Sequence, residues 1–288
     1  MIARDKSKVF SHIRRDEWAS RAFGKPATHL REFERKGFFS ISEIRKSKGS
    51  RITSFTSLVS AIAELGHHNH SYNLLFRGQP VDDKDRNGRT RLYATIYRPE
   101  GSRLTKPTTR KRFNVLSEYI KGLQRSSNEL GVDSVLQYYK EYYMALLQHY
   151  QQTRTPLLDL TSSIFVAASF ALQKRKTGYF YVIGLPHIHG SISHYIDNSL
   201  VLVKLQNVCP PNALRPHLQE AYLVGKLPFK AAKEAEDNIA RRLIGKYLLD
   251  NNENTFWKGG FRMSSHQALF PKADDYLLTL QRILQRTR

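Results

Sequence analysis

The chain has 288 residues, 40% of them hydrophobic and 11% aromatic, which suffices for a sizeable core and excludes a disordered chain. Its 46 Lys and Arg against 25 Asp and Glu leave a formal charge of +21, which draws it towards polyanions, with nucleic acid the first expectation and an acidic antitoxin or partner protein the second. The single cysteine, Cys209, excludes a disulfide framework and a Cys-based zinc site, and no apolar run reaches the roughly 18 residues of a membrane span.

Residues 1–50 carry 13 Lys and Arg against 6 Asp and Glu, with aromatic and aliphatic residues scattered among them. This reads as a basic N-terminal extension of short helices ahead of a main domain at 51–288. It lacks the apolar stretch of a signal peptide, so the expected location is cytoplasmic, away from membranes. "ITSFTSLVSAIAELG" spaces Phe55, Leu58, Val59, Ile62 and Leu65 on one helical face and ends at Gly66. "LLFRGQP" follows, an apolar strand that runs into Arg77, Gly78 and a proline. A permanent charge where a strand leaves the core needs an anionic or polar partner. Residues 81–112 read as polar, basic loops around the apolar island "LYATIYRP".

Two helical stretches come next, "FNVLSEYIKGLQRSSNEL" and "DSVLQYYKEYYMALLQHYQQ"; the tyrosines of the second read as packing residues. "TPLLDL" is strand-like, and "TSSIFVAASFAL" opens on N-cap residues and continues as a buried helix. "GYFYVIGL", "SLVLVKLQ" and "EAYLVG" read as strands, and "KEAEDNIARRLIGKYLLD" and "DDYLLTLQRILQR" as helices. Helices and strands interleave without a regular βαβ order, which points to an α+β fold with a mixed sheet surrounded by helices.

The common catalytic signatures are absent: no phosphate loop, dinucleotide GxGxxG, GxSxG elbow or HExxH. The histidines in "HHNH" and "PHIHG" lack an acidic or cysteine partner nearby, so no metal site is expected. A site must therefore come from dispersed polar residues. Arg77 and Gly78 stand at a strand end, Gln148 and His149 at a helix end, and Asp159 between a strand and Thr161, Ser162 and Ser163 at a helix entry. Asp159 reads either as a structural anchor or as a site member. Hydroxyls beside the free N–H groups of a helix start suit a phosphate or a ribose. In the basic stretch "TRKRF", Arg110, Lys111 and Arg112 are candidates for contacting nucleic acid.

In order and spacing, "LLFRGQP", "LYATIYRP", "LLQHYQQTRTPLLDLTSSIFVAASFAL" and "HQALFPKADDYLLTL" resemble the FRG-domain family across roughly residues 53–285. The hallmarks fall on Phe76, Arg77 and Gly78, on Gln148, His149 and Tyr150, on Thr155 to Asp159, on Thr161 and on Leu269 to Pro271. The family usually has a glycine between the second and third of these motifs; here "QQTR" takes its place.

A weaker similarity is to the ADP-ribosyltransferase plan, which implies an ADP-ribosyltransferase-like fold and NAD as substrate. In that plan Arg77 would hold a phosphate, Gly78 would grip the nicotinamide amide, and Thr161 and Ser162, with Gln148, would order the ribose. Glu220 would be the carboxylate that stabilises the sugar cation, with Asp159 the other possible acid, and His149 is a further catalytic candidate. The resemblance implies a toxin or phage-defence effector that modifies a macromolecule, nucleic acid by preference. The alternatives are a non-enzymatic nucleic-acid binder, in which Arg77 and Asp159 are structural, and a nuclease or other hydrolase.

Overall fold

A computed structural model describes residues 40–99, 104–231, 238–271 and 274–287. Most of the expected basic arm, residues 1–39, lies outside the described residues. In chain order the elements are α1 (Ile41–Lys46), β1 (Ser50–Ile52), α2 (Phe55–His68), β2 (Asn73–Gln79), α3 (Lys106–Arg125), α4 (Lys140–His149) and β3 (Leu157–Thr161). They continue with α5 (Ile164–Leu172), β4 (Thr177–Leu185), β5 (Ile192–Tyr195), β6 (Leu200–Lys204), α6 (Leu205–Val208), α7 (Leu214–Leu218), β7 (Ala221–Lys226), β8 (Leu243–Asp250), α8 (His266–Leu269) and α9 (Asp275–Thr287). The fold is α+β. Two compact units divide it: one within Met1–Leu92, Thr161–His187 and Ile239–Ser265, the other within Tyr93–Leu160, Ile188–Asn238 and His266–Arg288.

The first unit is built on strands in the order β1-β8-β4-β2. β1 and β8 run parallel, whereas β8–β4 and β4–β2 are antiparallel, so this sheet is mixed. The described end of the N-terminal stretch belongs to this body. Ser40 and Glu43 form a reciprocal capping box that starts α1, and Ile41 and Ile44 are buried. In α2, Ser54 caps the first turn, and Phe55, Leu58, Ile62 and Leu65 are buried as their spacing requires. Val59, expected on that face, is 40% exposed.

One expected helix is a strand. Residues 243–250 of "KEAEDNIARRLIGKYLLD" form β8, between β1 and β4. The charged residues ahead of it mimic helical spacing, but an interior strand with both faces covered reads as a nearly continuous apolar run. The one interruption is Lys246, and the fold supplies its partners (below).

The second unit carries strands in the order β3-β7-β6-β5, with β5–β6 and β6–β7 antiparallel. Its core joins Leu116, Ile120 and Leu123 of α3, Tyr142, Tyr143, Leu146 and Leu147 of α4, and Leu280, Ile283 and Leu284 of α9. The tyrosines of α4 are packing residues: the Tyr142 and Tyr276 hydroxyls lie 2.9 Å apart within this core. "TRKRF", expected in a loop, lies in the first turns of α3, which Thr105 caps and Pro107 opens. Among the described residues no helix is long and apolar enough to cross a membrane.

Candidate functional site

Three sequence candidates meet in the second unit. α4 ends at Gln148 and His149, and its last turn closes with Gln152 N–H donating to Leu147 C=O (2.9 Å) and Gln151 N–H to Gln148 C=O (3.0 Å). That pair of bonds is a Schellman motif, and its left-handed position falls on Gln151, at φ 56°. The position is where the resemblance led one to look for glycine. The turn leaves the side chains of Gln148 and His149 at β3. Gln148 Nε2 donates to Asp159 Oδ2 at 2.7 Å, and His149 Nδ1 lies 3.2 Å from Asp159 Oδ1.

The amide of Gln148 is itself oriented. Its Oε1 accepts from the hydroxyls of Thr95 and Thr155, each at 2.8 Å, so its NH2 group must face the carboxylate. Thr155 N–H donates to Thr95 Oγ at 2.9 Å and ties the two threonines together. Thr95 lies in the apolar island and has no charge or ring to draw notice in the sequence. Its role emerges only from the fold.

Burial assigns the roles. The His149 side chain is 2% exposed and the Asp159 side chain 32%. Burial pushes the His149 pKa below its usual range; the hydrogen bond to Asp159 and its charge pull the other way, and the Arg215 charge adds to the lowering. The neutral ring then donates Nδ1–H to a carboxylate that can only accept. Histidine is the inner support, and aspartate is presented to solvent.

Arg215, in α7, borders this network and was not a sequence candidate. Its guanidinium carbon lies 4.4 Å from the centre of the Phe270 ring and 5.8 Å from that of Tyr150. Both rings come from the motifs quoted above. Burial lowers the Arg215 pKa, opposed by Asp159, Tyr150 and Asp274. Asp274 is 1% exposed and accepts from the Tyr150 hydroxyl at 3.0 Å and from the N–H groups of Leu277 (3.2 Å) and Arg215 (3.4 Å).

In the first unit the strand period explains Phe76-Arg77-Gly78. Phe76 and Gly78 turn to one face, where the Phe76 ring lies 5.4 Å from that of Phe180 and α5 crosses directly over Gly78. A Cβ on Gly78 would overlap the Ala167 carbonyl, and one on Gly178 the Ala171 carbonyl. Arg77 turns to the other face, in register with Tyr181 and, one strand further, Lys246. With its amide oxygen towards the guanidinium, Gln79 accepts from Arg77 Nε at 3.2 Å and Nη2 at 3.3 Å. On the same face Lys246 Nζ donates to Asp82 Oδ2 (2.6 Å), Ser47 C=O (2.7 Å) and Thr90 Oγ (2.8 Å), and Tyr181 donates to Asp82 Oδ1 at 3.0 Å.

Residues 72–179 match the family model of the FRG domain. The chain carries an FRG domain. Neither a curated protein nor a solved structure matches the chain. The match covers both Phe76-Arg77-Gly78 and the whole Gln148–His149–Asp159 network; Arg215, Glu220 and Phe270 lie beyond it. No ADP-ribosyltransferase likeness accompanies it.

The remaining candidates of this FRG-domain chain each have a defined local setting. Thr161, at the end of β3, is buried in register with Phe76, and its hydroxyl accepts from Ser163 N–H at 3.0 Å. Ser162 follows, half-buried, and Ser163 caps α5. Glu220 occupies a left-handed turn, φ 44°, just ahead of β7. Arg110 and Lys111 are exposed on α3. Arg112 differs from them: its Nη1 donates to the carbonyls of Ile96 and Arg98, both at 2.7 Å, which gives it a structural task. Among the described residues no cluster of three His, Cys, Asp or Glu side chains could hold a metal ion.

Proposed function

We propose that this FRG-domain chain is an enzyme that breaks a glycosidic or ester bond of a nucleotide or nucleic acid, with Asp159 as its acting group. The observation that carries this reading is the asymmetry of the Gln148–His149–Asp159 network. Both carboxylate oxygens are held from the protein side, Oδ2 by Gln148 and Oδ1 by His149, while the group remains open to solvent. A carboxylate fixed in this way needs no reorganisation when positive charge develops opposite it or when it takes a proton from water.

NAD is the first substrate to test. Its C1–N bond would break with the electron pair leaving on nicotinamide, and Asp159 would stabilise the sugar cation. An acceptor oxygen or nitrogen would then form the new bond and release a proton. Nicotinamide release by the wild type, lost in Asp159→Asn, supports the transferase form; Glu220→Gln tests the other acid of that scheme. Turnover of labelled RNA or DNA without nicotinamide release supports the hydrolase form. Unchanged turnover in Asp159→Asn overturns both.

A second reading, a nucleic-acid binder, is favoured by a basic and aromatic surface in the first unit. The exposed Lys174, Arg175 and Lys176 adjoin the turn at 251–254, where Lys176 C=O accepts from Asn251 N–H at 2.7 Å. Beyond it Phe261 is 39% exposed and lies 4.7 Å from the Phe55 ring, between the exposed Lys258 and Arg262. Cations beside rings suit a single strand. Affinity for an oligonucleotide should fall steeply as salt rises. No binding at low salt would leave the +21 charge to an acidic partner protein.

A further inference from the structure

We infer that Arg215 is the residue that receives a phosphate or pyrophosphate group of the substrate, beside Asp159. The location next to an acting carboxylate rests on the function proposed above; the anion site itself does not.

A guanidinium carries five N–H donors, and a half-buried one ordinarily spends them on carbonyls or carboxylates. Other arginines of this fold do so: Arg45 donates to the Thr90 carbonyl at 3.2 Å, and Arg112 donates to two carbonyls. Arg215 is different. Among the described residues its guanidinium makes no hydrogen bond and no ion pair, and its buried Nε has no acceptor.

The nearby acids are already engaged. Asp274 accepts from the Tyr150 hydroxyl and from two backbone N–H groups, and Asp159 from Gln148 and His149. What holds Arg215 is aromatic: Phe270 at 4.4 Å and Tyr150 at 5.8 Å. Ring faces fix the plane of a guanidinium without consuming its in-plane donors. The fork is thereby oriented and left with donors to spare, the arrangement that grips two oxygens of one oxyanion. The adjacent Asp159 and Asp274 carboxylates favour a ligand that brings its anionic group to Arg215 and a neutral sugar or base to Asp159. A nucleotide has both.

Inorganic pyrophosphate is the probe, titrated calorimetrically into wild-type protein and into Arg215→Lys, Arg215→Met and Asp159→Asn. Loss of a charged hydrogen-bonded contact predicts affinity lower by roughly tenfold or more in both Arg215 variants. Arg215→Met keeps an apolar chain between the rings, and its circular dichroism should match the wild type. Asp159→Asn should bind pyrophosphate as well as the wild type or better, since a negative charge has gone. Wild-type affinity in a folded Arg215→Met, or no pyrophosphate binding by the wild type, overturns the proposal. Arg215-dependent binding together with full turnover in Asp159→Asn would leave the anion site standing and remove the catalytic role of Asp159. The reverse pattern would do the opposite.

Discussion

His149 meets Asp159 through Nδ1 and Oδ1, 3.2 Å apart, with the ring sealed and the carboxylate open. This order is the inverse of a catalytic dyad whose histidine faces the substrate. Asp159→Asn should therefore lower turnover by roughly a hundredfold or more while the melting temperature changes little, as for loss of a preorganised charge. His149→Asn keeps an N–H near the Nδ1 position and should retain part of the activity. Steady-state kcat and KM for both variants check this. Greater damage from His149→Asn than from Asp159→Asn would reverse the assigned roles.

The same burial makes stability depend on pH. The folded-state pKa of His149 is below its ordinary 6.5. As pH falls through that value the unfolded chain takes up the proton first, so stability is complete above about 6.5 and is lost as pH falls towards the folded-state pKa. Melting curves from neutral to mildly acidic pH should show the decline. It should be shallower in His149→Asn, which has no proton to take up.

Gly78 is required by packing, because a methyl group there has no room beneath the Ala167 carbonyl. Gly78→Ala and Gly178→Ala should each cost about 2–3 kcal/mol, as in overpacked cores. Gly190, with no atom near the place a Cβ would take, is the control; its alanine variant should lie within about 0.5 kcal/mol of the wild type. Urea midpoints measure all three.

Gln151 stands in the left-handed turn that closes α4, exposed and at φ 56°. Gln151→Gly relieves roughly 1–2 kcal/mol of backbone strain against about 0.4–1 kcal/mol of added unfolded-state entropy, for a net gain of about 0.5–1 kcal/mol. A fall in the urea midpoint would show that the Gln151 side chain makes a compensating contact.

What the sequence revealed and what it hid divide along physical lines. Short apolar runs identified β2, β3, β4, β6 and β7, and cap residues with helical spacing identified α2 and α5, because those patterns are local. Gln148 and His149 were legible as polar residues closing an apolar helix, and Asp159 as a charge within the short apolar run of β3. Arg215 was not, because its distinction is that among the described residues aromatic rings, and no hydrogen-bond acceptor, hold its guanidinium, a property of three-dimensional surroundings. β8 was misread since Lys246 breaks its apolar run and its partners, Ser47, Asp82 and Thr90, are more than 150 residues away. Gly78 resembled a ligand-binding glycine, but close helix–strand approach leaves the same mark in a sequence.

Lys246 provides the last test, because its burial is tolerable only while its partners remain. Its side chain is fully buried, and Nζ meets Asp82 at 2.6 Å together with two further acceptors. Burial lowers the lysine pKa, while the hydrogen bond and charge of Asp82 hold it up. Asp82→Asn removes that charge and should cost about 3–5 kcal/mol, the usual result of leaving one buried charge without its opposite. Lys246→Met strands Asp82 instead and should cost a similar amount, although Lys84, 3.7 Å from Asp82, softens the loss. The double variant Asp82→Asn, Lys246→Met should be less destabilised than the sum of the two, since it buries neither charge. Urea denaturation of the four proteins closes this cycle. Additive losses would mean that the pair is not coupled, and that Ser47 and Thr90 alone keep the ammonium in the sheet.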